Sequence, residues 1–352
     1  MAQNPYTLMF GREPAQLISR AAQMSMVTDS FLAESPSQQI YILTGVRGSG
    51  KTVMMTEISR SIAQNKGWIV VELNPERDML TALAAKISSD HSLAEIFKAS
   101  SINLSFFGFG LEVHGVAPIT DIEVALSRML SSLRKHGKRV LVTVDEAANT
   151  QNMRTFASAY QIFVRQDLPL YLLMTGLYEN IHSLQNAKSL TFLYRAPKIG
   201  LRPLNIGTIA ENYLKNLSVG QGEALQMAKL TKGYSFAFQV LGYFAWENGG
   251  MDSSVKSEFR QYLEDYVYEK IWSEMSATDR RVASAMARTP DGKIIEIREK
   301  LAMTTNQFNP YRKRLIQKGI ADGSRHGHLT FTLPLFDLFV VENSDFPGEI
   351  NL

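Results

Sequence analysis

The sequence predicts an α/β domain with a mostly parallel sheet, followed by a helical segment and a small domain of helices and two strands. Three observations carry this. From residue 39 to residue 175, short apolar runs alternate with amphipathic stretches, as expected of buried strands joined by crossover helices. After Pro203 those runs stop, and helical patterns continue to about residue 270. From about residue 271 the chain reads as three short helices and then two strands. The expected domains are therefore 1–202, 203–270 and 271–352.

Each element has its own signal. An irregular lead runs into a helix over Glu13–Ala33. Gln39–Thr44 is a buried strand, because Ile40, Tyr41, Ile42 and Leu43 are continuously apolar. A helix starts at Lys51, with Met54, Ile58 and Ile62 on one face and Gly67 just past its end. Trp68–Leu73 is the second strand. Asn74 and Pro75 then fit an N-cap and first helical position, opening a helix to Ile87. Residues 102–116 (INLSFFGFGLEVHGV) break the alternation, and their glycine-separated β-type segments predict a hairpin. A helix over Ile122–Lys135, a strand over Arg139–Val144, a helix around Arg154–Arg165 and a strand over Leu170–Thr175 complete the α/β part. Helices follow over residues 205–270, with turns at Gly220–Gly222 and Asn248–Gly250.

Residues 278–342 read as a winged helix-turn-helix. Ser276–Asp279 offers a capping box into its first helix. Ile294, Ile297 and Leu301 mark the second. Asn309 and Pro310 start a third, which runs to Lys318 and ends at Gly319. Ile320–Asp322 and Leu329–Leu333 form the wing, with Leu329, Phe331 and Leu333 alternating inward.

Composition excludes several chemistries. With no cysteine, there is no disulfide, Cys-ligated zinc, iron–sulfur cluster or catalytic thiol. Hydrophobic residues at 45% and charged residues at 20% are ordinary for a globular protein, and a net charge of +3 names no partner. Met1–Arg12 has no basic segment before an apolar core, so no signal peptide is expected. No apolar run reaches the roughly 18 residues of a membrane span, so a cytoplasmic protein without membrane contact is expected.

Two motifs carry chemistry. Gly45–Thr52, GVRGSGKT, matches the phosphate-loop pattern G-x-x-x-x-G-K-[ST]. Its glycines let the backbone N–H groups of Gly45, Val46, Arg47, Gly48, Ser49 and Gly50 approach phosphate oxygens. Lys51 sets a positive charge on the β- and γ-phosphates, and Thr52 offers a hydroxyl to Mg²⁺. The helix starting there aims its positive end at the phosphates. The second motif is Val140–Glu146, VLVTVDE, an apolar strand ending in two carboxylates at the edge where open α/β sheets bind ligands. Asp145 would hold Mg²⁺ through water, and Glu146 would orient the attacking water. The alternative is an acidic strand end that caps the next helix. Together the motifs point to ATP as ligand, Mg²⁺ as cofactor and hydrolysis as the reaction.

GVRGSGKT, VLVTVDEA, a strand ending at Thr175 and a helical segment before the winged helix resemble the AAA+-type P-loop ATPases, near their STAND and origin-recognition-like branch. The lead from Asn4-Pro5-Tyr6 to Phe10-Gly11, Lys66-Gly67-Trp68 and Thr231-Lys232-Gly233-Tyr234 are similar to that branch as well. The resemblance implies a P-loop core with a helical lid and further roles by position. Thr175 corresponds to a sensor of the γ-phosphate, with strand-end capping as the alternative. Asn74 corresponds to a switch residue, with a helix start as the alternative. Arg195, or next to it Arg202, corresponds to an arginine finger reaching a neighbouring copy, hence a homo-oligomer. The sequence departs from the pattern at Ser19-Arg20, where Gly-Arg is usual, and at Gly233-Tyr234-Ser235, where no arginine is near. These departures imply a slow ATPase or a switch.

Arg312, Lys313, Arg314 and Lys318 lie on the third helix of the winged module, which suits phosphate contacts on double-stranded DNA. Protein contact or packing on the lid are the alternatives. The functional expectation is an ATP-driven switch with a winged-helix output. Its rival is a non-catalytic, nucleotide-gated scaffold that binds ATP or ADP and a protein partner.

Overall fold

The structure, a computed structural model, describes residues 3–9 and 15–344. Phe10-Gly11 of the lead, the start of the helix expected from Glu13, and residues 345–352 lie outside the described residues. The chain divides into two compact units. The first holds 20–44 and 51–200, and the second holds 45–50, 201–344 and the described part of 1–19.

In the first unit the order is α1 (Ala21–Leu32), β1 (Ile40–Thr44), α2 (Lys51–Ala63), β2 (Trp68–Leu73), α3 (Met79–Ser88), α4 (His91–Ala99), α5 (Ile122–Lys135), β3 (Arg139–Val144), α6 (Gln151–Arg165), β4 (Leu170–Gly176), α7 (Tyr178–Gln185) and β5 (Lys198–Gly200). The five strands form one sheet in the order β2-β3-β4-β1-β5, and every pairing is parallel. β3 and β4 are almost wholly buried, which is why they read as unbroken apolar runs. Leu43 of β1 pairs with Thr175 of β4, and Val144 of β3 with Met174. The ends of β1, β4 and β3 therefore lie side by side at the carboxyl edge.

Three expectations are corrected here. The first helix begins at Ala21, not Glu13. Gln16 is instead engaged by the second unit, its carbonyl accepting from Gln239 at 2.7 Å and its side chain from Asn212 at 2.8 Å. Asn74-Pro75 is a turn, closed by the Glu76 N–H on the Asn74 side chain at 2.9 Å. Asp78 caps α3 instead, accepting from Leu80 and Thr81. Residues 102–116 form a loop with one 3₁₀ turn, Ser105–Phe107, rather than a hairpin. Buried Asn103 organises that loop by donating to the carbonyls of Val113 and Val116, at 3.3 and 2.7 Å. β5 was not foreseen.

The second unit contains α8 (Ile206–Asn216), α9 (Gln221–Leu230), α10 (Ser235–Asn248) and α11 (Ser253–Leu263), then a π-helical turn, Glu264–Tyr268, and α12 (Glu269–Ser273). It continues with α13 (Ala277–Ala287), α14 (Ile294–Leu301), α15 (Thr305–Gln317), β6 (Ala321–Asp322), β7 (Thr330–Phe331) and α16 (Phe336–Glu342). β6 and β7 pair antiparallel, and Lys293 bridges to His328. Leu329, Phe331 and Leu333 are all buried, as their alternation predicts. α15 starts at Thr305 rather than at Asn309-Pro310. A capping box between Thr304 and Gln307 starts it, and Pro310 falls inside the helix.

Candidate functional site

In the first unit, the carboxyl edge gathers Thr52 and Thr175 around Asp145 of the second motif. The Thr52 hydroxyl, in the first turn of α2, donates to Asp145 Oδ2 at 2.8 Å. Thr175, at the end of β4 and fully buried, donates its hydroxyl to Asp145 Oδ1. Its oxygen in turn accepts the Glu146 N–H at 3.1 Å. The Glu146 N–H also reaches Asp145 Oδ1 at 3.0 Å, and the Thr175 carbonyl accepts from Ala147 at 2.8 Å. Each hydroxyl has one proton, so Thr52 and Thr175 each commit theirs to Asp145.

This network holds an unusual backbone. Glu146 has φ 52°, in the left-handed region that side chains other than glycine seldom adopt. Such a conformation costs of order 1–3 kcal/mol and persists where surrounding bonds over-determine it. Here Thr175 supplies those bonds, and the Glu146 side chain stays exposed at the sheet edge.

A divalent cation fits the donor set. Asp145 is half-buried and forms no ion pair among the described residues. One carboxylate beside one hydroxyl is what Mg²⁺ uses when water and nucleotide phosphates supply the rest of its shell. Among the described residues, no group of three or more His, Cys, Asp or Glu could hold a metal on its own. The donors therefore suit a metal that arrives with phosphate.

Of the phosphate-loop residues, Gly45–Gly50 belong to the second unit, and Lys51 and Thr52 to the first. The loop turns tightly, with the Ser49 N–H on the Val46 carbonyl at 3.2 Å. Gly48 and Gly50 have φ of 73° and 90°, which explains glycine at both positions. A Cβ at Gly45 would come within 2.6 Å of Ser49 Oγ. Arg47 pairs with Glu274 at 3.4 Å. Tyr234, Ser235 and Phe236 each donate to one of the loop's carbonyls, contacts that no motif in the sequence announces. No local signal could reveal bonds spanning 186 residues or more.

The remaining candidates are placed as follows. Arg195 is exposed at the end of a 3₁₀ turn, Thr191–Arg195, and Arg202 is exposed in the second unit. Asn74 is exposed and uses its side-chain oxygen locally. On α15 the four cations part company. Arg314 donates twice to Asp279 Oδ1, at 2.9 and 2.6 Å, and Arg312 donates to the Gly323 carbonyl at 3.3 Å. Lys318 is half-buried, and Lys313 is exposed.

A phosphate loop after β1 of a parallel sheet, with the acidic end of β3 on the far side of β4, defines a P-loop nucleotide-binding protein. Residues 16–172 match the AAA ATPase domain family, and residues 265–340 match a domain of unknown function. A search of curated proteins finds no match. Among solved structures, a Walker-type ATPase of Pyrococcus abyssi is similar at TM-score 0.62 and 15% identity, covering 92% of this chain and 96% of that one. The ORC2 protein of Aeropyrum pernix, in its ADPNP–ADP complexes, is similar at TM-score 0.58 and 14% identity, covering 95% of each chain. Residues 16–172 thus match an AAA-type ATPase domain, and the two solved structures share the fold of this chain. Among the described residues no helix is long and apolar enough to cross a membrane.

Proposed function

We propose that this chain is an Mg²⁺-dependent ATPase that works as a nucleotide-driven switch. The observation that carries the reading is the hydroxyl-braced Asp145 beside an exposed Glu146 held in a left-handed turn. The backbone N–H groups of Gly45–Gly50 cradle the phosphates, apart from that of Ser49, which closes the loop's own turn, and Lys51 offsets charge on the β- and γ-phosphates. Thr52 and Asp145 hold Mg²⁺, which neutralises charge developing on the transferred phosphoryl group. Glu146 orients the attacking water. Thr175 positions Asp145 and Glu146 rather than reaching the γ-phosphate, since its proton is already committed. The adenine-nucleotide complexes of the Aeropyrum pernix neighbour support ATP as the ligand.

Nucleotide affinity and turnover of Lys51→Ala and Glu146→Gln test this. Lys51→Ala should lose binding at concentrations that saturate the wild type. Glu146→Gln should bind ATP normally and turn over about 10²–10⁴-fold more slowly, the usual weight of a positioned general base. Wild-type turnover by Glu146→Gln would contradict the catalytic role and favour the non-catalytic scaffold. Exposed Arg195 is assigned as a finger for a second copy. Mixing Arg195→Ala with Glu146→Gln protein should restore activity that neither has alone, whereas turnover independent of protein concentration in a monomer would contradict it.

We read the module of α13, α14, α15 and the β6–β7 hairpin as a winged helix that carries the output. A duplex-DNA contact would rest on exposed Lys313, Arg325 and His326, because Arg312 and Arg314 are engaged within the module.

A further inference from the structure

Phosphate binding by the loop uses its N–H groups, but the carbonyls of the same peptide planes are also engaged. Three consecutive carbonyls accept from three consecutive residues at the start of α10. The Tyr234 hydroxyl donates to Arg47 O at 2.6 Å, the Phe236 N–H to Gly48 O at 3.2 Å, and the Ser235 hydroxyl to Ser49 O at 3.0 Å. The packing is equally close. A Cβ at Gly48 would collide with the Tyr234 hydroxyl and lie 3.0 Å from Phe236 Cβ. Tyr234 is buried, and burial drives its phenol pKa far upward, with Arg47 opposing slightly. Its hydroxyl therefore remains a neutral donor at any working pH.

Peptide planarity gives these bonds a consequence. In a trans peptide the carbonyl of one residue points opposite to the N–H of the next. Fixing the carbonyls of Arg47, Gly48 and Ser49 therefore fixes the N–H directions of Gly48, Ser49 and Gly50. The Ser49 N–H closes the loop's own turn. Glycine at 48 and 50 would otherwise leave the flanking planes loosely defined, since glycine has the widest backbone freedom.

We propose that Tyr234, Ser235 and Phe236 form a latch that holds the phosphate loop in its binding form and couples phosphate occupancy to the seating of α10. The proposal rests on the nucleotide reading above and adds how the lid would register the ligand. The coupling runs through backbone carbonyls, in a segment that lacks an arginine. Linkage makes it reciprocal: if the latch tightens phosphate binding, bound phosphate tightens the latch by the same factor. An aromatic contact path leads onward. Phe236 lies 6.0 Å from Tyr262, and Tyr262 stacks at 4.2 Å on Tyr266 in the π-helical turn that precedes α12.

The test uses the full chain, ADP as probe, and the variants Tyr234→Phe and Ser235→Ala, each of which removes one hydroxyl. ADP affinity, melting temperature and amide hydrogen exchange are measured on each. In the wild type, ADP should slow exchange of the Phe236 amide. Each variant should bind ADP about three- to tenfold more weakly, the weight of one neutral hydrogen bond. Each should also lose most of that ADP-dependent protection. If either variant is poorly folded, the other carries the test. Unchanged ADP affinity in both would overturn the latch, as would Phe236 exchange in the wild type that ADP does not alter. A lowered melting temperature with ADP protection intact would overturn it too, since that is the mark of plain packing. Failure of the nucleotide reading looks different: the wild type itself would show no ADP affinity sensitive to Lys51→Ala, and both readings would fall together.

Discussion

Asp145 in the α/β unit and Asp279 in the C-terminal module are both bound by hydroxyl groups, but only Asp279 has a cationic partner. Asp279 is 2% exposed, accepts from Ser276 at 2.8 Å, and takes two N–H donors from Arg314. Its charge is balanced within the fold, and it has little to offer a ligand. Asp145 accepts from Thr52, Thr175 and the Glu146 N–H, remains half-buried, and forms no ion pair among the described residues. Its charge is oriented but not balanced, which is the condition of a metal-holding carboxylate. If Asp145 holds a metal as proposed, a carboxylate's ionic partners and its burial together separate the structural acid from the functional one.

The comparison can be broken at either end. The largest expected effect is on the structural side. Arg314→Ala would strand a buried carboxylate, and losing one partner of a buried pair costs about 3–5 kcal/mol. The lower end applies because the Arg314 side chain is 39% exposed. Chemical denaturation should show the C-terminal module weakened with ADP affinity kept, and an unchanged midpoint would refute the structural assignment. A smaller effect is expected at Thr175. Thr175→Val should lower turnover roughly tenfold or more, the weight of a hydrogen bond to a charged group. Thr175→Ser should restore it, because the same oxygen returns. If Val and Ser behave alike, the hydroxyl does not position Asp145. The smallest effect concerns DNA. With Arg312 and Arg314 engaged, phosphate contacts from exposed Lys313 and Arg325 would give a log–log salt slope near −1.8, at roughly −0.9 per contact. A slope near −3.6 would mean that all four α15 cations reach phosphate and that the Arg314–Asp279 pair opens on binding.

Much of the first unit was legible because its strands are buried on both faces and so leave unbroken apolar runs. The bounds of β2, β3 and α5 match the sequence reading. β5 escaped because only Ile199 of its three residues is buried, leaving no pattern to read. The loop at 102–116 was misread because alternating aromatics and glycines resemble a hairpin. Asn103 captures carbonyls that a hairpin would have paired across strands. On α15, four positive charges looked equivalent along the chain, and only tertiary contacts separate Arg314, tied to Asp279 35 residues earlier, from exposed Lys313. The phosphate-loop and acidic motifs were readable because each is local. The donors from Tyr234, Ser235 and Phe236 to the loop were not, because the fold alone brings them there.

Asp145 is proposed as the metal-holding carboxylate of an ATP-hydrolysing site. The most direct measurement is ATP turnover against Mg²⁺ concentration for the wild type, Asp145→Asn and Asp279→Asn, with a melting curve for each. Asp145→Asn should melt near the wild type but lose Mg²⁺-dependent turnover. Asp279→Asn should melt lower and keep the wild-type Mg²⁺ dependence per folded molecule. Turnover by Asp145→Asn with the wild-type rate and Mg²⁺ dependence would mean that Asp145 does not hold the metal.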